Sequence, residues 1–226
     1  MPLARVAQPP LLTDRVFDQI RAAIMNGDLP AGSPLRVRDL ADQVGTSVMP
    51  VREAIRRLEE SGLAVREPHK GAVVKRLSLD ELEQTYDLRI LLECEAARRG
   101  ARVATSSDHA RMRRVHDAIR RATEEGRMVA ALDLDEELLT VLYAAAGNPA
   151  LTENIRNLWQ RARLYKVHSV HDNENGADED PWSHLPRLID AAEAADGEAA
   201  AQVTRDSLIT AQRRIEAFLV SSSFPV

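Results

Sequence analysis

The sequence predicts a mainly α-helical protein in two parts, an N-terminal winged helix-turn-helix followed by a C-terminal antiparallel all-helical bundle. Three observations carry this. Ala, Leu, Arg and Glu dominate the 226 residues and β-branched runs are scarce, which favours helix nearly throughout. Two short strand-like runs around residue 70 break that pattern. The charge is also split: the net of −5 resolves into +3 over residues 1–76, with 12 Lys and Arg against 9 Asp and Glu, and −8 over 77–226. A basic segment joined to an acidic one implies two jobs in one chain, with a boundary at 76/77.

The elements follow in order. Val16, Ile20, Ala23 and Ile24 recur at helical spacing, with Thr13 as a candidate cap. The run Gly27-Asp28-Leu29-Pro30-Ala31-Gly32-Ser33-Pro34 must end that helix. A short helix over 37–44 turns Leu40, Ala41 and Val44 inward, and Gly45 suits its left-handed end. Ser47 is the candidate N-cap of the next helix, Pro50 lies in its first turn, and Val51, Ala54, Ile55 and Leu58 form its buried face. Arg52 and Arg56 share the polar side. Two short helices joined by a tight turn, the second basic near its start, fit a major-groove reader. Residues 63–66 and 72–75 are the strand candidates, and the basic tip with His69, Lys70 and Gly71 fits a wing on the backbone or minor groove. Arg52 is either a DNA contact or a local partner of Glu53 or of the neighbours of Arg56. Arg56 and Arg57 are left open between DNA contacts and solvated helix residues.

Beyond Ser78 the expected helices are 79–105, 107–124, 128–146, 149–168, 181–195 and 197–219. Ser78-x-x-Glu81 has the capping-box pattern, and Gly126, Gly147-Asn148-Pro149 and Asp196-Gly197 are breaks. The polar, acidic run 169–180 is expected to be a mobile loop. Asp135 shares a helix face with Ala131, Leu138, Leu139 and Leu142, where a carboxylate is costly to bury without a partner. His184 shares one with Leu188, Ala191 and Ala195.

Composition excludes several classes. No apolar run approaches the roughly 18 residues of a membrane span, and residues 1–10 carry no secretory pattern. Cys94 is the single cysteine, so neither an internal disulfide nor a Cys-based zinc cluster is available. The expectation is a soluble cytoplasmic protein.

Between Leu12 and Arg76 the chain resembles the winged-helix domain of GntR-type bacterial transcription regulators. The motifs are the Gly27–Gly32 turn, Leu35-x-x-x-Asp39-Leu40-Ala41, Gly45-x-Ser47, Pro50-Val51-Arg52-Glu53-Ala54-Ile55-x-x-Leu58, Gly62-Leu63 and Lys70-Gly71-Ala72-x-Val74. The resemblance implies that Arg38, Ser47, Met49, Arg52, His69, Lys70 and Gly71 face DNA. Val48 stands where many relatives have arginine, so that position would meet a thymine methyl or nothing.

The remainder resembles the FCD effector domain of the FadR subgroup through Asp87-Leu88-Arg89-x-x-Leu92-Glu93-x-x-Ala96-Ala97, Asp135-x-x-Leu138-x-x-x-Leu142-Tyr143-x-x-x-Gly147-Asn148-Pro149 and His184-Leu185-x-x-Leu188-Ile189-x-Ala191. Many such domains hold a divalent metal through one Asp and three His. Here Asp135 and His184 match, but Leu139 and Ser207 stand at two ligand positions, so no metal or other cofactor is expected. His168 and His171 are candidate substitutes that read better as solvated loop residues. Arg89, Asp135 and His184 are expected to line an effector pocket, the rival reading being an Asp135–His184 hydrogen bond in a bundle core. Arg89 either forks the carboxylate of a small organic acid or pairs with Glu93 four residues on.

The function these features imply is a ligand-responsive transcription regulator. As a homodimer it would bind a palindromic DNA operator, acting as a repressor controlled by a small organic acid. The competing class is an enzyme using the bundle pocket, metal-dependent or hydrolytic, but the chain has no nucleophile elbow, phosphate loop or complete metal set. An architectural DNA protein is disfavoured by the acidic second part.

Overall fold

A computed structural model of the chain describes residues 12–76, 78–172 and 180–221. It falls into two compact units, Met1–Arg76 and Leu77–Val226.

In the first unit α1 (Leu12–Met25) packs on α3 (Val48–Glu60), and α2 (Val37–Val44) lies against the same helix. Val16, Ile20 and Ile24 of α1 meet Val51, Ala54, Ile55 and Leu58 of α3 in a core where each is at most 3% exposed. Thr13 lies inside the first turn of α1 instead of capping it. Gly45 ends α2 at φ 66°, where its missing Cβ removes the penalty of the left-handed conformation. The strands β1 (Ala64–Glu67) and β2 (Gly71–Val74) pair antiparallel, with Ala64 opposite Val74 and Glu67 opposite Gly71. They sit one residue off the expected runs, and the Leu63 amide is committed to the Leu58 carbonyl at the end of α3 while its carbonyl accepts from the Lys75 amide. The chain after α1 returns along β2, with the Gly32 and Leu35 amides donating to the Val74 and Ala72 carbonyls. The proline-rich turn thereby lies beside β2 through an isolated antiparallel bridge between Pro34 and Val73, and the sheet itself keeps two strands.

The second unit is built from α4 (Leu79–Val103), α5 (Ser106–Glu124), α6 (Met128–Ala145), α7 (Pro149–Asp172), α8 (Leu185–Glu193) and α9 (Gly197–Ser221). The α4–α9 and α5–α6 pairs make its most extensive contacts, and α4 also touches α6, α7 and α8. Ser78 caps α4, its hydroxyl accepting from the Glu81 amide at 3.1 Å. The expected α4 is two residues too long. Thr105 instead forms a reciprocal capping box with Asp108, which stops one helix and starts the next. The helix expected from 181 begins only at Leu185, with Pro186 in its first turn, so His184 belongs to the preceding turn. Ala195, assigned with it to one helical face, is instead an exposed left-handed residue at φ 53°. The backbone of α7 continues to Asp172, into the run expected as loop. Residues 173–179 of that run, and the side chains of His168 and His171, lie outside the described residues.

Candidate nucleic-acid interface and bundle cavity

The start of α3 is open. Ser47 holds the N-cap position at φ −75° and ψ 165°, yet its hydroxyl caps no helix amide. Both the hydroxyl and the first-turn N–H groups therefore remain available to an anion. Met49 is 66% exposed, Val48 40%, and Arg38 and Arg52 are also exposed. A cleft of about 550 Å³ separates α3 from the hairpin, and Arg36, Arg52, Arg56, Arg66 and Lys70 line it. Among the described residues no acid pairs with Arg52. Arg36 and Arg66 were not singled out in the sequence, because one precedes a helix and the other lies on a strand with no periodic signal.

The two open arginines resolve differently. Arg57 donates to Asp14 at 2.7 Å and lies 4.3 Å over the Phe17 ring, so it fastens α3 to α1. Arg56 is held between Glu53 and Glu60 on its own helix. Its guanidinium draws the Glu53 carboxyl below the usual range by hydrogen bonding. At the hairpin tip the Lys70 amide donates to the Glu67 carbonyl at 3.3 Å across Pro68 and His69. His69 takes φ 64°, the positive value a type II turn needs at its third residue. That conformation places His69, Lys70 and Gly71 together at an exposed tip, with Lys70 paired to Glu67 at 2.9 Å.

In the bundle, Arg89, Asp135 and His184 line one cavity of about 60 Å³, together with Leu139 and Ser207. A second space of about 450 Å³ shares Pro181, His184, Ser207, Ala211 and Arg214 with it. The four positions that the FCD resemblance sets against metal ligands, Asp135, Leu139, His184 and Ser207, thus converge, but they supply one carboxylate, one imidazole, an alkyl group and a hydroxyl. That set does not fit zinc or nickel. Among the described residues no three His, Cys, Asp or Glu side chains are grouped to hold a metal.

Arg89 and Glu93 do pair, at 2.7 Å, and both are almost wholly buried. Glu93 also accepts from Trp159 Nε1 at 3.0 Å and Tyr143 Oη at 3.2 Å. Arg89 lies 4.6 Å over the Tyr86 ring, and its Nη1 is buried without a partner. Burial alone would depress the Arg89 guanidinium, but the Glu93 carboxylate more than reverses this, so it stays charged. Pairing with Glu93 therefore leaves part of the guanidinium fork unused.

Asp135 Oδ1 is buried without a partner, contrary to a structural Asp135–His184 bond through that oxygen. Burial raises the Asp135 carboxyl, against the pull of Lys166 and Arg89. Burial also drives His184 down to about 4, opposed by its hydrogen bond to the Pro181 backbone, so the ring is neutral at pH 7. Lys166 and Arg214 complete the charged lining. Lys166 had a legible signal, since it follows Trp159 and Ala162 at helical spacing on a buried face. Arg214 had none.

The family model described as bacterial regulatory proteins of the gntR family matches residues 12–74, and the FCD domain model matches 84–210. The chain belongs to the GntR family. It is 30% identical over 196 residues to the "Probable D-xylose utilization operon transcriptional repressor" of Paenarthrobacter nicotinovorans, covering 84% of this chain and 82% of that one. It is 27% identical over 150 residues to the HTH-type transcriptional regulator McbR of Escherichia coli strain K12, covering 66% and 68%. The solved structure of E. coli McbR shares the fold at TM-score 0.76 and 23% identity, over 92% of this chain and 98% of that chain. A GntR regulator from Rhodococcus sp. RHA1 does so equally, over 91% and 97%. The chain is thus a bacterial GntR-family transcription regulator, and its family and relatives are regulators, not enzymes. No helix among the described residues is long and apolar enough to cross a membrane.

Proposed function

We propose that residues 1–76 bind a palindromic operator as half of a homodimer and that residues 77–226 dimerise and bind a small organic acid that controls the affinity. The observation that carries the DNA half is the open start of α3, with Ser47, Met49 and Arg52 beside a cleft walled by cations. Helix-start amides and Arg52 suit phosphates and guanine edges, and the wing residues His69, Lys70 and Gly71 suit the backbone. One such unit reads half of a two-fold site. Repression is favoured because relatives carry that word in their names. An acid is favoured by the unused Arg89 nitrogen in the cavity. The ligand alters operator affinity only as far as it binds the competent and incompetent states unequally. Action on DNA favours the cytoplasm as its location.

The test is footprinting followed by binding titrations on the protected sequence. Arg52→Ala is expected to cost about 1–3 kcal/mol on that site and to relax preference at one base pair. An equal loss on random DNA would remove its base-reading role. Lys70→Ala is expected to weaken binding to all sequences and lower the salt slope by about one unit, so an unaltered slope takes it off the phosphate list. Leu88 and Leu91 lie on α4 at 47% and 66% exposure, an apolar surface suited to a second copy. Leu91→Asp is expected to weaken self-association at least about tenfold in sedimentation, the factor that 1.4 kcal/mol represents. An unchanged dimer would move the interface elsewhere.

A further inference from the structure

The first turn of α3 breaks the pattern of its own helix. The core side is Val51, Ala54, Ile55 and Leu58, none more than 3% exposed. The opposite side, by helical spacing, is Met49, Arg52, Glu53, Arg56 and Glu60. A solvated helix keeps that side polar. Here Met49 stands 66% exposed in it, and Val48, at its edge, is 40% exposed. A lone exposed apolar side chain is ordinary. These two adjoin each other and sit between Ser47, whose hydroxyl caps no amide, and Arg52, one turn on from Val48. The charges show which turn admits a polyanion. Arg56 is held by Glu53 and Glu60, one cation against two acids, so the helix beyond Arg52 repels phosphates. Ahead of it lie the free first-turn amides and Arg52, for which no acid partner stands among the described residues. Base edges are therefore met by the side chains of the first two turns.

The chemistry of the groove decides what Val48 and Met49 can read there. A major groove displays donors, acceptors and one apolar group, the thymine 5-methyl. An aliphatic side chain against guanine, cytosine or adenine strips water from polar base atoms and pairs none of them, which costs binding. Against a thymine methyl it gains apolar burial instead. An apolar protein partner would ask for a wider patch than two side chains. Resting on the operator reading above, we infer that Val48 and Met49 set the operator sequence by packing on thymine 5-methyl groups, so that T·A pairs stand beside the pair read by Arg52. Specificity at these pairs then comes from a methyl group and from no hydrogen bond, because neither side chain carries a donor or acceptor for a base edge.

The test selects duplexes from a random library with the full chain, then replaces each thymine of the enriched half-site singly by deoxyuridine. That change removes the 5-methyl and keeps the base pair. At one or two positions affinity is expected to fall about fourfold, the factor that burial of one methyl-sized group, about 0.8 kcal/mol, represents. At the same positions 5-methylcytosine should bind better than cytosine. Val48→Ala and Met49→Ala should each shrink the deoxyuridine penalty at its own thymine towards one, with Tm held because both side chains are exposed. If either variant unfolds, the deoxyuridine scan on the wild-type chain decides alone. Val48→Arg is expected to exchange thymine for guanine at its pair by about fivefold or more, since arginine pairs with guanine O6 and N7. An enriched sequence with no deoxyuridine penalty anywhere in the half-site overturns the methyl reading and leaves the operator reading standing. So do penalties that both alanine variants keep in full. Failure to enrich any sequence overturns the operator reading itself.

Discussion

Glu93→Ala is expected to lower the stability of the bundle by about 3–5 kcal/mol, the range for breaking a buried ion pair from one side. In a unit of this size that corresponds to a fall of roughly 10 °C in Tm. The magnitude follows from what the carboxylate holds. Its Oε1 accepts from Arg89 at 2.7 Å and from the Trp159 indole at 3.0 Å, and its Oε2 from the Tyr143 hydroxyl at 3.2 Å. Those donors come from α4, α7 and α6, so one side chain ties three helices together. Removing it strands a guanidinium that is 2% exposed and leaves two further buried donors with no acceptor. The double variant Arg89→Met with Glu93→Met separates charge from packing, because replacing a whole buried pair with apolar groups of similar volume is near neutral. It should recover in calorimetric melting the part of the lost Tm that comes from the stranded guanidinium, with Trp159 and Tyr143 still short of an acceptor, while abolishing acid binding. A Glu93→Ala protein within about 1 kcal/mol of the parent, or a double variant no more stable than the single one, would remove the carboxylate from its structural role.

Much of this arrangement was legible in the sequence. The spacing of Val51, Ala54, Ile55 and Leu58 marked the buried side of α3, and all four are buried. A residue's face follows from its own neighbours, so local periodicity suffices. The same reasoning placed Asp135 on an apolar face, where the structure leaves its Oδ1 unpaired. Other features depend on segments that local pattern does not connect. That Arg89 and Glu93 stand four apart left pairing and ligand binding as rivals, and the fork geometry allows both, because one nitrogen pairs and another stays unused. The convergence of Tyr143 and Trp159 on Glu93 spans 50 and 66 residues and has no local signature. Arg57 was ambiguous because its partners Asp14 and Phe17 lie on a different helix. Helix ends were misplaced by one to a few residues where side-chain caps decided them, as at Thr105, or where a proline sat near the start, as at Pro186.

Gly100→Ala is expected to destabilise the bundle by about 2–3 kcal/mol, although the substitution taken alone favours a helix. Gly100 lies within α4, where alanine would gain up to about 1 kcal/mol in propensity. Space decides against it. A Cβ at this position would lie 2.0 Å from the Leu142 carbonyl oxygen and 3.0 Å from its carbon, both on the backbone of α6. No rotamer change relieves a clash with main chain, so the two helices must move apart, at the cost typical of overpacking. The consequence reaches the cavity. α4 carries Arg89 and Glu93, while α6 carries Asp135 and Tyr143, and the Tyr143–Glu93 bond is already 3.2 Å long. A separation of the helices lengthens that bond and spreads the polar atoms that must meet one small ligand together. Gly100→Ala should therefore lose acid affinity as well as Tm, even though it touches no ligand. Calorimetric melting and titration of the same sample decide the matter: a higher Tm with unaltered affinity would show that α4 and α6 part freely, and that their close approach at Gly100 is not what holds the cavity in shape.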